Sequence, residues 1–293
     1  MKKQVFRRWP NDPAPLDRLL ASRLALAPND AAELVARGRV YVGSERANVP
    51  SAEVRVGAKI TVHLAPSPPT PSLAVVHRDE HLAVVDKPAG LPSQAERGQK
   101  AFALDAAVAR QLGDDARVMH RLDKEASGLV IVALRADARA ALQKIVAEHE
   151  SDRRYLAIVT GNLSGESAIK KRIGRHARDE RLRAAFAEDS TAGKPAATHY
   201  RVLGHGSADG QPVTALEVQL ETGRTHQIRV HLASIGHPIV GDVAYGGPPF
   251  ERLCLHAYAL ELPHPRDRRP IRVSIPPPEP FARLVPSLTT LFT

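Results

Sequence analysis

One aspartate stands at the start of a run of strand-forming apolar residues and is the first candidate for chemistry. Asp123 lies in VMHRLDKEASGLVIVAL, after His120 and Arg121 and before an expected Ser127-Gly128 turn. Loops held by rigid strands commonly carry catalytic groups. An aspartate in such a loop is nevertheless more often a turn former or an ion-pair partner. The local sequence alone therefore favours a structural role for Asp123.

A second polar segment, from Leu220 to Gly247, supplies a cationic partner. Ile228, Leu232 and Ile235 recur at helical spacing, so we expect a short helix from Thr225 to Ile235 with Arg224 directly before it. A guanidinium in that position can hold a carboxylate or a phosphate with two hydrogen bonds. Next to Asp123 it would favour the ionised carboxylate that a nucleophile or a base requires.

The histidines of this segment do not have the spacing of metal ligands. His226 and His231 are five residues apart and His237 is six further on, whereas two zinc ligands on one helical face are four apart. We therefore expect no metal and interpret these histidines as hydrogen-bonded or RNA-facing. The single cysteine, Cys254, excludes an internal disulfide and a cysteine-rich zinc module, and its apolar surroundings predict a packed thiol.

Charge suggests what kind of partner the chain binds. Lys and Arg outnumber Asp and Glu by 41 to 32, and the formal net charge is +9, which favours a polyanion such as nucleic acid. The stretch from Lys170 to Arg183 concentrates this charge, either as a solvated loop or as a phosphate-binding surface with salt-sensitive contacts. Tyr155 begins an apolar strand, where a tyrosine usually packs in the core. In a site that accepts a flipped base, its ring would replace the lost base stacking.

The chain divides at a proline-rich stretch. We predict a small domain at 1–66, a linker at 67–72 and a larger domain at 73–293. The small domain reads as two short helices and two short strands, with Asn29 or Asp30 as the N-cap of the second helix and Gly38 at its end.

The larger domain is predicted as α+β, with a largely antiparallel mixed sheet and flanking helices and loops. A strand from Leu129 to Leu134, a helix through Glu150 and an alternating strand around Leu216 and Val218 are its clearest elements. Neither an export signal nor an apolar stretch of about 20 residues is present. We therefore expect a cytoplasmic protein without membrane segments, and a monomer.

Six segments together resemble the RNA pseudouridine synthases of the ribosomal large-subunit, RluA type. In chain order they are DKPAGL, HRLDKEASGL, RRYLAIVTG, GKPAATHYRVL, TGRTHQIRVHLASIGHPIVGD and LCLHAYAL. Departures are Ala126, where the family often has Thr, and LPSQ after the Lys-Pro turn. The resemblance spans residues 73–293 and implies isomerisation of uridine to pseudouridine in structured RNA without a cofactor or a metal.

The resemblance also implies roles for individual residues. Asp123 matches the catalytic aspartate, Tyr155 the tyrosine that packs on the target uracil, and Arg224 the arginine that pairs with the aspartate. Further polar residues of the same motifs are expected to bind the RNA substrate: Lys87, His120, Arg121, Thr225, His226, Gln227 and Arg229. Whether the carboxylate attacks as a nucleophile or removes a ribose proton stays open.

The N-terminal segment resembles the small S-four-type RNA-binding domain, through LDRLLASR, AAELVARGRVYVGS and VRVGAKITV. The family usually has Asn-Gly where this chain has Gly43-Ser44, and a generic α/β cap is the alternative. Ribosomal RNA is the expected partner and transfer RNA the alternative. Two other functions compete: a non-catalytic RNA-binding factor on the same fold, and a histidine-metal hydrolase.

Overall fold

The structure is a computed structural model that describes residues 3–63, 71–94 and 103–291. The chain folds as two compact units, Met1–Ser72 with Pro92–Gln111, and Leu73–Leu91 with Leu112–Thr293. Residues 67–70 of the predicted linker lie outside the described residues. The segment 92–111, which the sequence analysis assigned to the larger domain, groups with the first unit. The sequence could not predict this, because the apolar residues of a helix do not specify which core they join.

The first unit is a four-stranded antiparallel sheet with helices. Its elements are β1 (Lys3–Arg7), α1 (Leu16–Leu24), α2 (Pro28–Ala36), β2 (Val40–Val42), β3 (Glu45–Arg46), β4 (Lys59–His63) and α3 (Leu104–Leu112). The strand order is β1-β4-β2-β3. Leu16, Leu19 and Leu20 form one buried face of α1 and pack with Ile60 and Val62 of β4, because residues three and four apart lie on the same side of a helix.

The predicted cap of α2 was wrong. The helix begins at Pro28 with Ala27 as its N-cap, two to three residues before the predicted Asn29 or Asp30. Proline suits the first helical position because its missing N–H would have no partner there. The end of the helix is as predicted, since Gly38 follows with φ of 66°.

The second unit contains the remaining elements. The strands are β5 (Ala74–Arg78), β6 (Leu82–Lys87), β7 (Arg117–Val118), β8 (Ser127–Ala133), β9 (Asp152–Thr160), β10 (Glu166–Arg175), β11 (Arg183–Phe186), β12 (Lys194–Ala208), β13 (Gln211–Leu220), β14 (Leu255–Pro263) and β15 (Pro270–Ser274). The helices are α4 (Ala136–Ala147), α5 (Gln227–Ala233), α6 (Glu279–Leu284) and α7 (Leu288–Leu291), with a 3-10 turn at Val243–Tyr245.

These strands form one mixed, mostly antiparallel sheet, which confirms the predicted α+β class. The order is β11-β10-β12-β13-β9-β14-β8-β6-β5, with β15 on β14 and β7 on β8. Among the described strands only β14 and β8 run parallel. Leu142 and Ile145 of α4 are buried in a cluster with Leu129 and Ile131 of β8, so this helix packs on the part of the sheet formed by β8 and its neighbours.

Strand β8 begins earlier than predicted. Ser127 and Gly128, expected as a turn, are its first two residues and pair with His256 and Ala257 of β14. A Cβ on Gly128 would lie 2.2 Å from the carbonyl oxygen of Ala257, and the φ of Gly128 is 116°. Only glycine therefore allows β8 and β14 to approach so closely beside the Asp123 loop.

Candidate active site around Asp123

Sheet order places three separate segments of the second unit on or beside neighbouring interior strands. The Asp123 loop precedes β8, Tyr155 lies near the start of β9, and α5 follows the end of β13. Neighbours in the sheet run β13-β9-β14-β8, and Tyr155 pairs with Val218 on one side and Ala257 on the other. The segments that sequence analysis took from distant motifs therefore adjoin four neighbouring strands in the interior of the sheet.

Asp123 faces the guanidinium of Arg229. Its Oδ2 lies 3.6 Å from Arg229 Nη1, and the Asp123 side chain is 21% exposed while that of Arg229 is 6% exposed. Glu125 Oε2 lies 4.0 Å from the same nitrogen, but its side chain is 53% exposed. Asp123 is thus a partly accessible carboxylate beside a buried positive charge.

The prediction that Arg224 pairs with Asp123 was wrong. Arg224 is exposed and donates from Nε to the carbonyl oxygen of Pro195 at 3.4 Å. It lies before α5, whereas Arg229 lies within the helix and is directed toward the Asp123 loop. Arg224 and Arg229 are five residues apart in the same motif.

A signal for Arg229 was present in the sequence. Arg229 stands between Ile228 and Val230 in a short helix whose residues are almost all buried. An arginine at a buried position requires an acidic partner, because an unpaired buried charge is costly. Asp242, at the end of the segment IVGD (residues 239–242), is that partner.

Asp242 and Tyr245 fix the orientation of the Arg229 guanidinium. Arg229 donates from Nε and Nη2 to the two carboxylate oxygens of Asp242, at 2.7 and 2.8 Å. Its Cζ lies 5.0 Å from the centre of the Tyr245 ring, within the range of a cation–π contact. Burial alone would lower the pKa of Arg229, but the hydrogen bonds and charge of Asp242 raise it above its usual value. Nη1 is left directed at Asp123.

Tyr155 forms a buried wall of the site. It is 5% exposed, so only a small part of its ring is accessible. Burial raises the pKa of its hydroxyl, and the negative charge of Asp123 acts in the same direction. The tyrosine therefore stays protonated and uncharged near the carboxylate.

His226 borders the site in a strained conformation. Its φ is 57°, in the left-handed region that residues with a Cβ rarely adopt, and its Nδ1 lies 2.8 Å from the hydroxyl oxygen of Tyr245. Burial lowers the pKa of His226, with the negative charge of Asp123 opposing that shift and the positive charge of Arg229 adding to it. The imidazole is therefore predominantly neutral at neutral pH.

Lys87 does not face the substrate, contrary to the prediction. Its side chain is fully buried, and Nζ donates to the carbonyl oxygens of Pro88, Leu91 and Lys124. Burial lowers its pKa to about 8, although the charges of Glu125 and Asp123 oppose this shift. The ammonium instead ties the turn after β6 to the loop that carries Asp123.

His120 and Gln227 are also structural rather than exposed to RNA. Nε2 of His120 accepts the backbone N–H of Ile131, and burial lowers the pKa of this histidine to about 3. Gln227 is buried and donates from Nε2 to the carbonyl oxygen of Ala197, while its Oε1 accepts the N–H of Arg224. Each anchors a loop to the sheet, and both side chains are buried rather than presented at the surface.

The other two predicted binding residues, Arg121 and Thr225, are exposed. They stand next to the Asp123 loop and the start of α5, where RNA can reach them.

Among the residues that the structure describes, no group of three His, Cys, Asp or Glu side chains is arranged to hold a metal ion. Within the same ranges, no helix is both long and apolar enough to cross a membrane. The thiol of Cys254 is buried, and burial raises its pKa to about 12, so it is a packed side chain without nucleophilic character.

Comparison with known proteins identifies similar chains. A family described as RNA pseudouridylate synthase matches residues 81–234, a range that contains Asp123, Tyr155 and Arg229. Ribosomal large subunit pseudouridine synthase D of Xanthomonas campestris pv. campestris is 39% identical over 262 residues, covering 80% of this chain and 75% of that protein. The protein of the same name from Pseudomonas aeruginosa is 39% identical over 234 residues, covering 73% and 71%.

Solved structures agree with these sequence matches. Human RNA Pseudouridylate Synthase Domain Containing 1 superposes with a TM-score of 0.62 at 31% identity, covering 77% of this chain and 89% of that one. Human RNA Pseudouridylate Synthase Domain Containing 4 has a TM-score of 0.58 at 23% identity, covering 74% and 93%. The second likeness concerns the fold alone.

Proposed function

We propose that this chain, which belongs to the family of RNA pseudouridylate synthases, uses Asp123 to convert a specific uridine of large-subunit ribosomal RNA into pseudouridine. The enzyme class, an RNA pseudouridine synthase, follows from the family. The observation that supports Asp123 as the reacting group is its partly exposed carboxylate, 3.6 Å from a guanidinium that is itself fixed by Asp242. Proteins named as ribosomal large subunit pseudouridine synthases are the similar chains that point to ribosomal RNA.

The reaction is an isomerisation in which the uracil changes its point of attachment. The N1–C1′ bond breaks, the detached uracil turns, and a C5–C1′ bond forms. The proton on C5 is then lost and N1 gains one, so composition is unchanged and no redox partner enters. Asp123 either adds to the nucleotide or removes a ribose proton, and both routes use its carboxylate form beside Arg229.

The target uridine must leave its stack to reach this carboxylate. Extruding a base costs a few kcal/mol, which aromatic contact in a closed pocket offsets. Tyr155, on the wall next to Asp123, is the aromatic side chain we assign to packing against the uracil. Exposed Arg121 and Thr225 at the rim are assigned to the surrounding RNA.

The hairpin of β10 and β11 supplies the wider RNA contact. Three of its seven basic residues, Lys171, Arg172 and Arg183, donate to backbone carbonyl oxygens, and Arg181 pairs with Asp179. The remaining three are exposed and have no ion pair within 4.0 Å in the described part of the chain: Lys170, Arg175 and Arg178. We assign these three to RNA phosphates.

The first unit is proposed as an additional RNA-binding module, with residues 1–66 as its predicted extent and 73–293 as the catalytic domain. Its helix–helix–strand order, exposed Arg18 and Arg23 on α1, and exposed Arg37 directly after α2 support this role. We propose that the enzyme works as a monomer in the cytoplasm, where a lone reduced cysteine is stable.

Mapping pseudouridine in total RNA from wild-type and deletion strains tests this function. We expect one or a few pseudouridines to be absent from large-subunit ribosomal RNA of the deletion strain and to return when the wild-type gene is restored. Loss of pseudouridine from transfer RNA instead would show that transfer RNA is the substrate. An unchanged map, with an assembly defect that the Asp123→Ala protein rescues, would contradict the catalytic proposal and favour a non-catalytic RNA-binding factor.

A further inference from the structure

The only tryptophan of the chain is exposed on the first unit. Trp9 follows β1 in the stretch FRRWPND and is 63% exposed. Val56, in the turn before β4, is 55% exposed. A large indole normally gains more from burial than any other side chain of a small domain, so its position in water requires an explanation.

The loop that presents Trp9 is rigidly held. The guanidinium of Arg8 donates to the carbonyl oxygens of Asp12, Pro13 and Val54, at 3.0, 3.2 and 2.8 Å. The Asp12 carboxylate accepts the backbone N–H of Trp9 at 2.7 Å and an N–H of Arg23 at 2.8 Å. Trp9 is therefore fixed at its backbone, so ordering it on a ligand costs little further backbone entropy.

Backbone bonds place the Trp9 segment beside the turn before β4. Arg8 accepts the N–H of Gly57 at 2.8 Å and donates its own N–H to Ala58 at 3.1 Å. Side chains alternate along an extended segment, and that of Arg8 turns inward to its carbonyl partners. Arg7 and Trp9 are thereby directed to the opposite, outer side.

The cations on this side repel one another. Arg7 and Lys59 are directly opposed in the pairing of β1 with β4, and like charges so placed destabilise a sheet. Arg55 is exposed two residues before Gly57. Within the described ranges, none of Arg7, Arg55 and Lys59 has an acidic partner within 4.0 Å. An anionic partner would offset this repulsion.

We propose that Arg7, Trp9, Arg55, Val56 and Lys59, the Trp9 surface, bind single-stranded RNA, with an unpaired base stacked on the indole and flanking phosphates held by the cations. A stacking platform combined with a basic rim is how proteins bind unpaired nucleotides without reading sequence. The inference rests on the proposed function for its RNA partner, and adds a contact outside the uridine site.

Tryptophan fluorescence provides a direct test, because Trp9 reports without a label. The full-length protein is titrated with a single-stranded RNA of mixed sequence and with the same strand in a duplex. We expect quenching that saturates with the single strand, weakens with added salt, and is much smaller with the duplex. In a separate assay with labelled RNA, Trp9→Ala should bind roughly tenfold more weakly, and Trp9→Phe should recover part of the loss.

Two matched variants control for side effects. Val49→Ala removes another exposed apolar side chain of the same unit, and Arg272→Ala removes one exposed positive charge from the second unit. Both should retain wild-type RNA affinity. Because Trp9 is exposed, Trp9→Ala should keep the wild-type melting temperature. Fluorescence unchanged by single-stranded RNA, in protein that forms pseudouridine, would overturn the Trp9 surface and leave the proposed function intact.

Discussion

At the level of single residues, the site depends on how one guanidinium divides its donors. Arg229 gives two N–H groups to Asp242, whose side chain is 1% exposed, and its Nη1 is left facing Asp123. The buried pair fixes a positive charge beside the Asp123 carboxylate, and such preorganised charge is a major source of catalysis in enzymes.

Replacing Arg229 by lysine tests this division of donors. Lys keeps one positive charge but cannot bond both oxygens of Asp242 and face Asp123 together. We expect Arg229→Lys to lower kcat by roughly a hundredfold, with a smaller change in KM. Single-turnover pseudouridine formation at saturating RNA measures this effect.

Arg224→Ala is the matched comparison. The Arg224 side chain is exposed and, within the described part of the chain, bonds only the carbonyl oxygen of Pro195, so its loss should change kcat by about threefold or less. Asp242 is buried, so a change at Arg229 can also destabilise the fold. The melting temperatures of both variants therefore distinguish a loss of catalysis from unfolding. Equal losses of kcat in the two variants would contradict the assignment of Arg229.

The sequence predicted a site residue only where the local motif around it was specific. Asp123 and Tyr155 were predicted because each sits in a distinctive motif, and their segments adjoin β8 and β9, which both pair with β14. Arg229 was predicted only as a binding residue, because its partner Asp242 is thirteen residues away and joins it through tertiary structure. Lys87 and His120 were misassigned because polar letters in a motif do not reveal burial.

At the level of elements, the basic hairpin of β10 and β11 divides its cations between two tasks. Lys171 and Arg172 hold neighbouring loops through carbonyl oxygens, whereas Lys170, Arg175 and Arg178 face solvent. Only the second group is available to phosphates, so the seven basic residues of this stretch should not contribute equally to RNA affinity.

Salt dependence of RNA binding measures that contribution. Each phosphate contact releases condensed counterions, so removing one should reduce the slope of log K against log salt by roughly one. We expect Lys170→Ala and Arg178→Ala each to reduce the slope in this way and to weaken affinity. Arg181→Ala, whose charge Asp179 already balances, should leave the slope unchanged, and a slope unaffected by all three would refute the RNA role of the hairpin.

Local patterns predicted most elements but not their neighbours. The apolar run of β8 and the alternation in β13 were visible in sequence. The parallel pairing of β8 with β14 joins residues about 130 apart in the chain, and no local period encodes it. Helix ends were shifted by one to three residues, because caps such as Ala27 carry no side-chain signal.

At the level of the whole molecule, three buried histidines make stability sensitive to acid. Burial lowers the pKa of His120 to about 3, of His256 to about 3 and of His231 to about 4. Unfolding returns each to about 6.5. Between those values the unfolded chain binds protons that the folded chain does not, so stability falls as pH decreases below about 6.5.

Urea denaturation at pH 7 and pH 5 measures this loss. Each buried histidine should contribute about 2 kcal/mol to the decrease, and His231→Asn should make the decrease smaller by about that amount. His205→Asn, at an exposed position, serves as the control and should leave it unchanged. A free energy of unfolding that is equal at the two pH values would show that these histidines are not buried in the neutral form.

The most direct measurement of the account compares two carboxylates beside the same guanidinium. Asp123→Asn and Glu125→Gln each remove one negative charge, 3.6 and 4.0 Å from Arg229 Nη1. Purified proteins are incubated with the ribosomal RNA substrate, and pseudouridine is mapped chemically. We expect no detectable pseudouridine with Asp123→Asn and a near wild-type amount with Glu125→Gln. Wild-type product from Asp123→Asn would contradict the central claim that Asp123 carries out the reaction.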